Sequence, residues 1–536
     1  MADLLHEGWH ELQGKEPPSA GLTAQARGVG IARHGTWLAL LAFGVVAVVG
    51  ILARPVLPVD ETRYLSVAWE MRAHGNWLVP HLNGAVYSHK PPLLFWLINL
   101  VWSVTGVSAF AARLVGPAFG LATIAATAGL ARRLWPEDAA AGGRAALVLA
   151  GFAAFDLYAG LTMFDTMLAL AVVLGVRALV ATETQPRAWI GLSVALAFGA
   201  LAKGPVILVH LLPIALATPL WRGESWRVAA LRTAKAVALA LLIVSLWLIP
   251  ASLFGGPEYR DAVLWTQSAG RIADPFAHGR PLWWFLPLLP LLLWPWAWSG
   301  RLWRDVAGLG FRRDPGLRLA LLWSLSALLL FSLIASKQLH YLLPALPAVA
   351  LIFARAGAVR AGGLAAVGLL PLMLGVTLLA AALGFGPADM TALARPVWGI
   401  LLPAALLLAL AGAGFVLKGP RAALLGPGLV LALDLLFLHG APGRIYNPDP
   451  IARIIASRDG AIAICSDRYQ GEFSFAARLR EPVLPIGALQ DALHWLDTTP
   501  DAILVCRMDG SHPETGPAEQ IDFNGHPYGL WTSGTD

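Results

Sequence analysis

Long apolar runs recur along most of this chain, and few folds accommodate them. A run of roughly 17–25 apolar residues can cross the hydrocarbon core as an α-helix. Lipid offers no partner for a bare peptide group, so only helices and closed barrels span it. The runs fall near 36–54, 111–131, 145–162, 164–181, 188–202, 205–221, 236–253, 282–299, 319–335, 341–357, 362–385, 396–417 and 423–440. They predict an α-helical polytopic membrane protein with about thirteen transmembrane helices. Only 13% of the 536 residues are charged, against about 25% in soluble proteins. The net charge of +6 then reads as Lys and Arg gathered in cytoplasmic loops, and no nucleic-acid partner is expected. The 22 tryptophans suit interfacial belts and lipid- or sugar-facing surfaces equally.

The basic residues orient the spans. Arg132, Arg133 and Arg144, then Arg187, then Arg222, Arg227, Arg232 and Lys235 fall in alternate loops. Arg301, Arg304, Arg312, Arg313 and Arg318, then Arg355 and Arg360, then Lys418 and Arg421 continue the series. All share the side of the N-terminus, which the positive-inside rule makes cytoplasmic. Residues 1–34 read as a disordered cytoplasmic segment, and the first run as an uncleaved signal-anchor. Residues 35–440 form the membrane domain, with large outer loops at 54–110 and 254–281. Pro92 to Val107 is apolar but short, and it reads as a helix lying at the outer surface. Lys203-Gly204-Pro205 breaks the stretch 188–221 into two half-helices. From 441 to 536 the composition turns soluble. AIAIC and AILVC read as strands, PIARIIASR and GALQDALHWL as amphipathic helices. This predicts a small α/β domain outside the membrane. Cys465 and Cys506 end its strands, either joined in a disulfide or left as two buried thiols.

Chemistry concentrates between Val59 and Leu97, the longest polar stretch in the first half of the chain. Ionisable residues at a membrane edge are functional candidates. Asp60 and Glu61 follow the first span. They either cap the next helix or supply a carboxylate base for an acceptor hydroxyl. Lys90, in His89-Lys90-Pro91-Pro92, either snorkels to headgroups or neutralises a phosphate leaving group. Lys203, Lys337 and Arg271 are further cations for that task, Arg271 lying among aromatics in the second outer loop. His89 can bond a phosphate or ligate a metal. Asp165, in LTMFDTMLAL, needs a partner if buried and otherwise faces Asp60 across a catalytic cavity.

The motifs DETRY…LNG…YSHKPPLLFWL, FD at 164–165, LAKGP at 201–205, GRI…FAHGRPLWWFLPLLPLLLWPW and ASKQLHYLLP stand in one order. Together with SDRYQGEFSFAARLREPV in the tail, they resemble the bacterial aminoarabinose transferases and, more loosely, the protein O-mannosyltransferases. The resemblance implies a GT-C fold in the bacterial inner membrane with a periplasmic C-terminal domain. It implies transfer of a sugar from a polyprenyl-phosphate donor to a lipid (lipid A-like), protein or glycan acceptor, with inversion. By position, Asp60 and Asp165 match cavity carboxylates, Lys90 and Arg271 hold the carrier phosphate, and Tyr87 and Tyr341 match cavity tyrosines. His89 stands where relatives commonly carry Glu beside a metal, so a divalent metal with His89 as ligand is the one cofactor to consider. A lipid or sugar transporter is the competing class, but it predicts internal repeats and charges near the midplane. Here the charges gather in loops.

Overall fold

A computed structural model describes residues 19–263, 279–358, 365–417, 419–508 and 516–533. Among them seven helices are long and apolar enough to cross a membrane. They are His34–Ala53, Ala109–Leu134, Phe164–Ala181, Trp226–Phe254, Pro315–Leu333, Trp398–Val416 and Pro420–His439. Leu339–Arg355, Ala366–Ala382 and the pair Trp189–Lys203 and Val206–Leu216 add shorter apolar helices. Phe164–Ala181 lies at the centre of the bundle, with Met167, Leu168, Val172 and Val176 wholly buried. Trp226–Phe254 lies at the rim and leaves Leu242, Leu246 and Leu253 62–75% exposed. Such a stripe is a liability in water, and in a bilayer it faces acyl chains.

The predicted spans 282–299 and 145–162 do not form continuous helices. The run 282–299 breaks into short turns at Leu286–Leu288, Leu289–Leu292 and Trp296–Trp298. Pro287, Pro290 and Pro295 remove backbone donors and clash with the preceding turn. The run 145–162 divides into Ala141–Leu149 and Ala153–Ala159. At the break, Gly151 packs so closely on Gly426 that a Cβ there would sit 2.2 Å from the Gly151 carbonyl oxygen. Irregular backbone at membrane depth needs internal partners. The Trp296 and Trp294 indoles donate to the carbonyls of Val148 and Val367 at 2.9 and 3.1 Å, and Ala153 N–H donates to Trp294 O at 3.3 Å. Both indoles are fully buried, so these tryptophans serve the core rather than an interfacial belt.

The Lys203-Gly204-Pro205 break is present. Gly204 has φ +73°, a conformation that only glycine adopts without strain. The helix Leu93–Thr105 has 13 residues, about 20 Å of length against a core of about 30 Å. It buries Leu94, Phe95, Ile98 and Trp102 on the helix Asp60–His74 and leaves Leu100 and Val104 exposed. Beyond the last long helix stands a five-stranded sheet. Its strand order is Leu484–Pro485, Ile462–Cys465, Ile503–Arg507, His526–Thr532, Glu519–Phe523. The first three strands are parallel, the last two antiparallel additions. Both strands and both helices expected in this region are present. Cys465 and Cys506, paired across adjacent strands, form a disulfide.

Candidate active site

The site begins where the first long helix ends. Asp60 and Glu61 occupy the first turn of Asp60–His74, yet adjacent residues on a helix point apart, and their fates differ. Asp60 keeps 51% of its side chain exposed. Its Oδ1 accepts a hydrogen bond from the Tyr64 hydroxyl at 3.1 Å. Tyr64 sits four residues on, the spacing that places two side chains on one helix face. Burial, and then the Asp60 charge, push the Tyr64 phenol well above its ordinary value, so it stays a donor. Its ring meets Phe164 edge-on at 4.8 Å, which brings Asp60 towards the next residue in that chain, Asp165.

Glu61, grouped with Asp60 as a catalytic carboxylate on sequence grounds, lies in a buried network apart from Asp60. It is 3% exposed. Its carboxylate accepts the N–H groups of Leu57 and Thr162 at 3.2 and 2.9 Å and pairs with Arg113 at 3.5 Å. Burial opposes its charge, but Arg113 and the two N–H donors hold it below the ordinary glutamate value. Arg113 also donates to the carbonyls of Ile51 and Arg54 at 2.9 and 2.8 Å. Arg54 in turn pairs with Asp434 at 3.1 Å. This buried network fixes the first outer loop to the spans on either side.

Asp165 opens the helix Phe164–Ala181 and is 2% exposed. An anion there suits the helix dipole, and its charge has a partner: Lys203 Nζ lies 2.5 Å from Oδ1. His340 Nε2 lies 3.9 Å from Oδ2. The Lys203 ammonium also sits 4.8 Å from the centre of the Tyr341 ring. His340 is within electrostatic reach of Asp165, Lys203, Asp60 and Lys90 together. Lys90 Nζ stands 5.8 Å from the Phe164 ring centre. Tyr87 is buried against Phe95 at 6.1 Å and His89 at 5.3 Å. The fold thus gathers Asp60, Tyr87, Lys90, Asp165, Lys203 and Tyr341 from distant parts of the chain. Tyr64 and His340 join them. The first was legible as a partner four residues beyond Asp60, and the second as part of the cluster SKQLHY.

Lys337 does not join this set. It is 2% exposed and donates to the carbonyls of Ile334 and Arg280 at 2.6 and 2.9 Å. It fastens the returning end of the second outer loop, where Arg280 N–H also bonds Ala335 O at 3.1 Å. Arg271 lies outside the described residues. Among the described residues no three of His, Cys, Asp and Glu converge as metal ligands.

The C-terminal domain holds the loop that carries the site. The Ser66 hydroxyl donates to Gly471 O at 2.7 Å and accepts from Phe475 N–H at 3.1 Å. The Trp69 indole donates to Leu479 O at 2.7 Å. Asn83 bonds both ways with the backbone of Val483, at 2.8 and 2.7 Å. Phe475 stacks on Trp102 with ring centres 5.5 Å apart. Asn83→Ala removes two of these bonds and strands the Val483 N–H and carbonyl. The expected cost is about 1–3 kcal/mol in loop docking. Hydrogen exchange should read it as faster exchange confined to 60–90 and 471–483, with the sheet strands unchanged.

A family model described as dolichyl-phosphate-mannose-protein mannosyltransferase matches residues 89–249. An undecaprenyl phosphate-α-4-amino-4-deoxy-L-arabinose arabinosyl transferase of Pseudomonas fluorescens is 30% identical over 414 residues, covering 72% of this chain and 67% of that protein. Its counterpart in Pseudomonas aeruginosa is 32% identical over 343 residues, covering 61% of this chain and 60% of the relative. The crystal structure of ArnT from Cupriavidus metallidurans bound to undecaprenyl phosphate shares the fold, with a TM-score of 0.73 at 19% identity over 94% of this chain and 98% of that one. The helical core, the carboxylate and ammonium cluster at its edge and the small sheet domain define a multi-pass membrane glycosyltransferase of the GT-C class. Within that class, the chain belongs to the undecaprenyl phosphate-aminoarabinose arabinosyl transferase family. It spans 60–67% of the length of these curated relatives.

Proposed function

We propose that the chain moves a sugar, 4-amino-4-deoxy-L-arabinose or a close analogue, from a polyprenyl monophosphate to a lipid acceptor of the lipid A kind. The reaction runs at the periplasmic face of the inner membrane. The carrying observation is that one half-exposed carboxylate, Asp60, and the ammonium groups of Lys90 and Lys203 all lie within electrostatic reach of His340. The acceptor oxygen attacks the anomeric carbon, the bond from that carbon to the phosphate oxygen breaks, and the configuration inverts. Asp60 takes the proton of an acceptor hydroxyl. Lys90 and, from the second outer loop, Arg271 hold the phosphate as negative charge grows on its oxygen. Lys203 pairs with Asp165, and Tyr87 and Tyr341 line the site. Glu61 and Lys337 act as positioning residues. The C-terminal domain lies outside the cytoplasm and the N-terminus inside it. The disulfide, which suits an oxidising compartment, and the basic loops support that orientation.

The direct test follows release of polyprenyl phosphate from a labelled polyprenyl-phosphate sugar in membranes containing the protein, together with label in extractable lipid. Both should appear in equal amounts. Lys90→Ala should weaken kcat/KM for the donor by about 10- to 100-fold, the loss of one charge-assisted contact. An unchanged kcat/KM would remove Lys90 from the phosphate.

A further inference from the structure

A cleft of about 400 Å³ is lined in part by Arg54, which pairs with Asp434. Three helix ends frame it: Leu52 of His34–Ala53, Trp398 of Trp398–Val416 and Leu438 of Pro420–His439. These three side chains are 67%, 68% and 52% exposed. Helix ends that present Leu and Trp outward lie at the boundary of the hydrocarbon core. The linker into the sheet domain also lines it, with Arg444 and Asp449, and His439 lines it too. Among the described residues Arg444 is exposed and stands in no ion pair. The lining therefore combines exposed apolar side chains with an unpaired arginine, a histidine and a carboxylate.

We propose that this cleft binds the headgroup of a zwitterionic membrane phospholipid. The phosphodiester lies against Arg444 and His439, the glycerol and first methylenes against Leu52, Leu438 and Trp398. An ethanolamine ammonium reaches Asp449, which favours ethanolamine over glycerol headgroups. The site is not idle packing, because its back wall is part of the buried network. Arg54 lines the cleft and pairs with Asp434. The Arg54 carbonyl accepts from Arg113, and Arg113 pairs with Glu61 beside Asp60. A headgroup seated there braces the base of the catalytic loop from the lipid side.

Native mass spectrometry of the full-length protein, released from mild detergent and titrated with phosphatidylethanolamine or phosphatidylglycerol, tests this. Wild type should hold one phosphatidylethanolamine at least about tenfold more tightly than Arg444→Glu. Arg444→Lys should retain it, which separates loss of the contact from misfolding. Asp449→Asn should keep binding but lose the preference for ethanolamine. Equal retention by wild type and Arg444→Glu would overturn the site. So would an adduct at this site with the mass of a polyprenyl phosphate, since the carrier and not bulk phospholipid would then be the occupant.

Discussion

Asp60→Asn should lower kcat by about 100- to 10,000-fold, the range for loss of a positioned base. It should leave KM for the donor within a few-fold. The substitution is nearly isosteric, and Asp60 is half exposed. Its contacts with Tyr64 and Arg63, at 3.1 and 3.9 Å, belong to its own helix, so the fold should be unaffected. A thermal melt equal to wild type beside the rate loss is the expected pair of results. The lost group is the one that accepts the acceptor's proton, so the deficit should be largest for hydroxyl acceptors. A phosphate acceptor arrives already ionised. Full activity of Asp60→Asn towards a hydroxyl acceptor would remove the base from the mechanism.

Glu61→Ala should do the opposite: a large loss of stability with a rate loss that follows from it. The substitution leaves Arg113 buried with its charge partner gone and strands the N–H groups of Leu57 and Thr162. Breaking a buried pair on one side costs about 3–5 kcal/mol. Thermal unfolding in detergent reads it directly. Glu61→Leu combined with Arg113→Met should recover only part of the loss: it removes the unpaired charge but leaves the N–H groups of Leu57 and Thr162 and the carbonyls of Ile51 and Arg54 without those partners. The pH dependence has a fixed sign. Glu61 is held below its ordinary value, so its contribution is present at neutral pH and fades as pH falls through the folded-state value. Glu61→Gln should flatten that acid limb. A Glu61→Ala protein as stable as wild type but inactive would return Glu61 to the chemistry.

Much of this was legible before any coordinates. Hydrophobic length alone marks spans such as 164–181, which coincides with the helix Phe164–Ala181. Lys203-Gly204-Pro205 announces its break because glycine and proline act locally. Length fails where prolines crowd, as at 282–299, and where packing dictates the break, as at Gly151 against Gly426. A window of hydropathy sees neither. For the site, the residue types and their order pointed to Asp60, Lys90 and Asp165, and the fold brings them together. It could not separate Asp60 from Glu61, since facing is settled by which neighbour supplies Arg113. Nor could it tell Lys203, whose ammonium meets a carboxylate, from Lys337, whose ammonium meets two backbone carbonyls. Those distinctions live in tertiary contacts between segments tens of residues apart, such as the 38 residues between Asp165 and Lys203 and the 57 between Arg280 and Lys337.

The most direct measurement is made on the wild-type protein in sealed vesicles loaded with a labelled polyprenyl-phosphate sugar and an acceptor lipid. The account predicts polyprenyl phosphate and glycosylated lipid in a one-to-one ratio, formed only where the face bearing the C-terminal domain meets both substrates. Passage of the labelled donor across the bilayer with no polyprenyl phosphate released would contradict it, and would mark the protein as a carrier of lipid rather than a transferase.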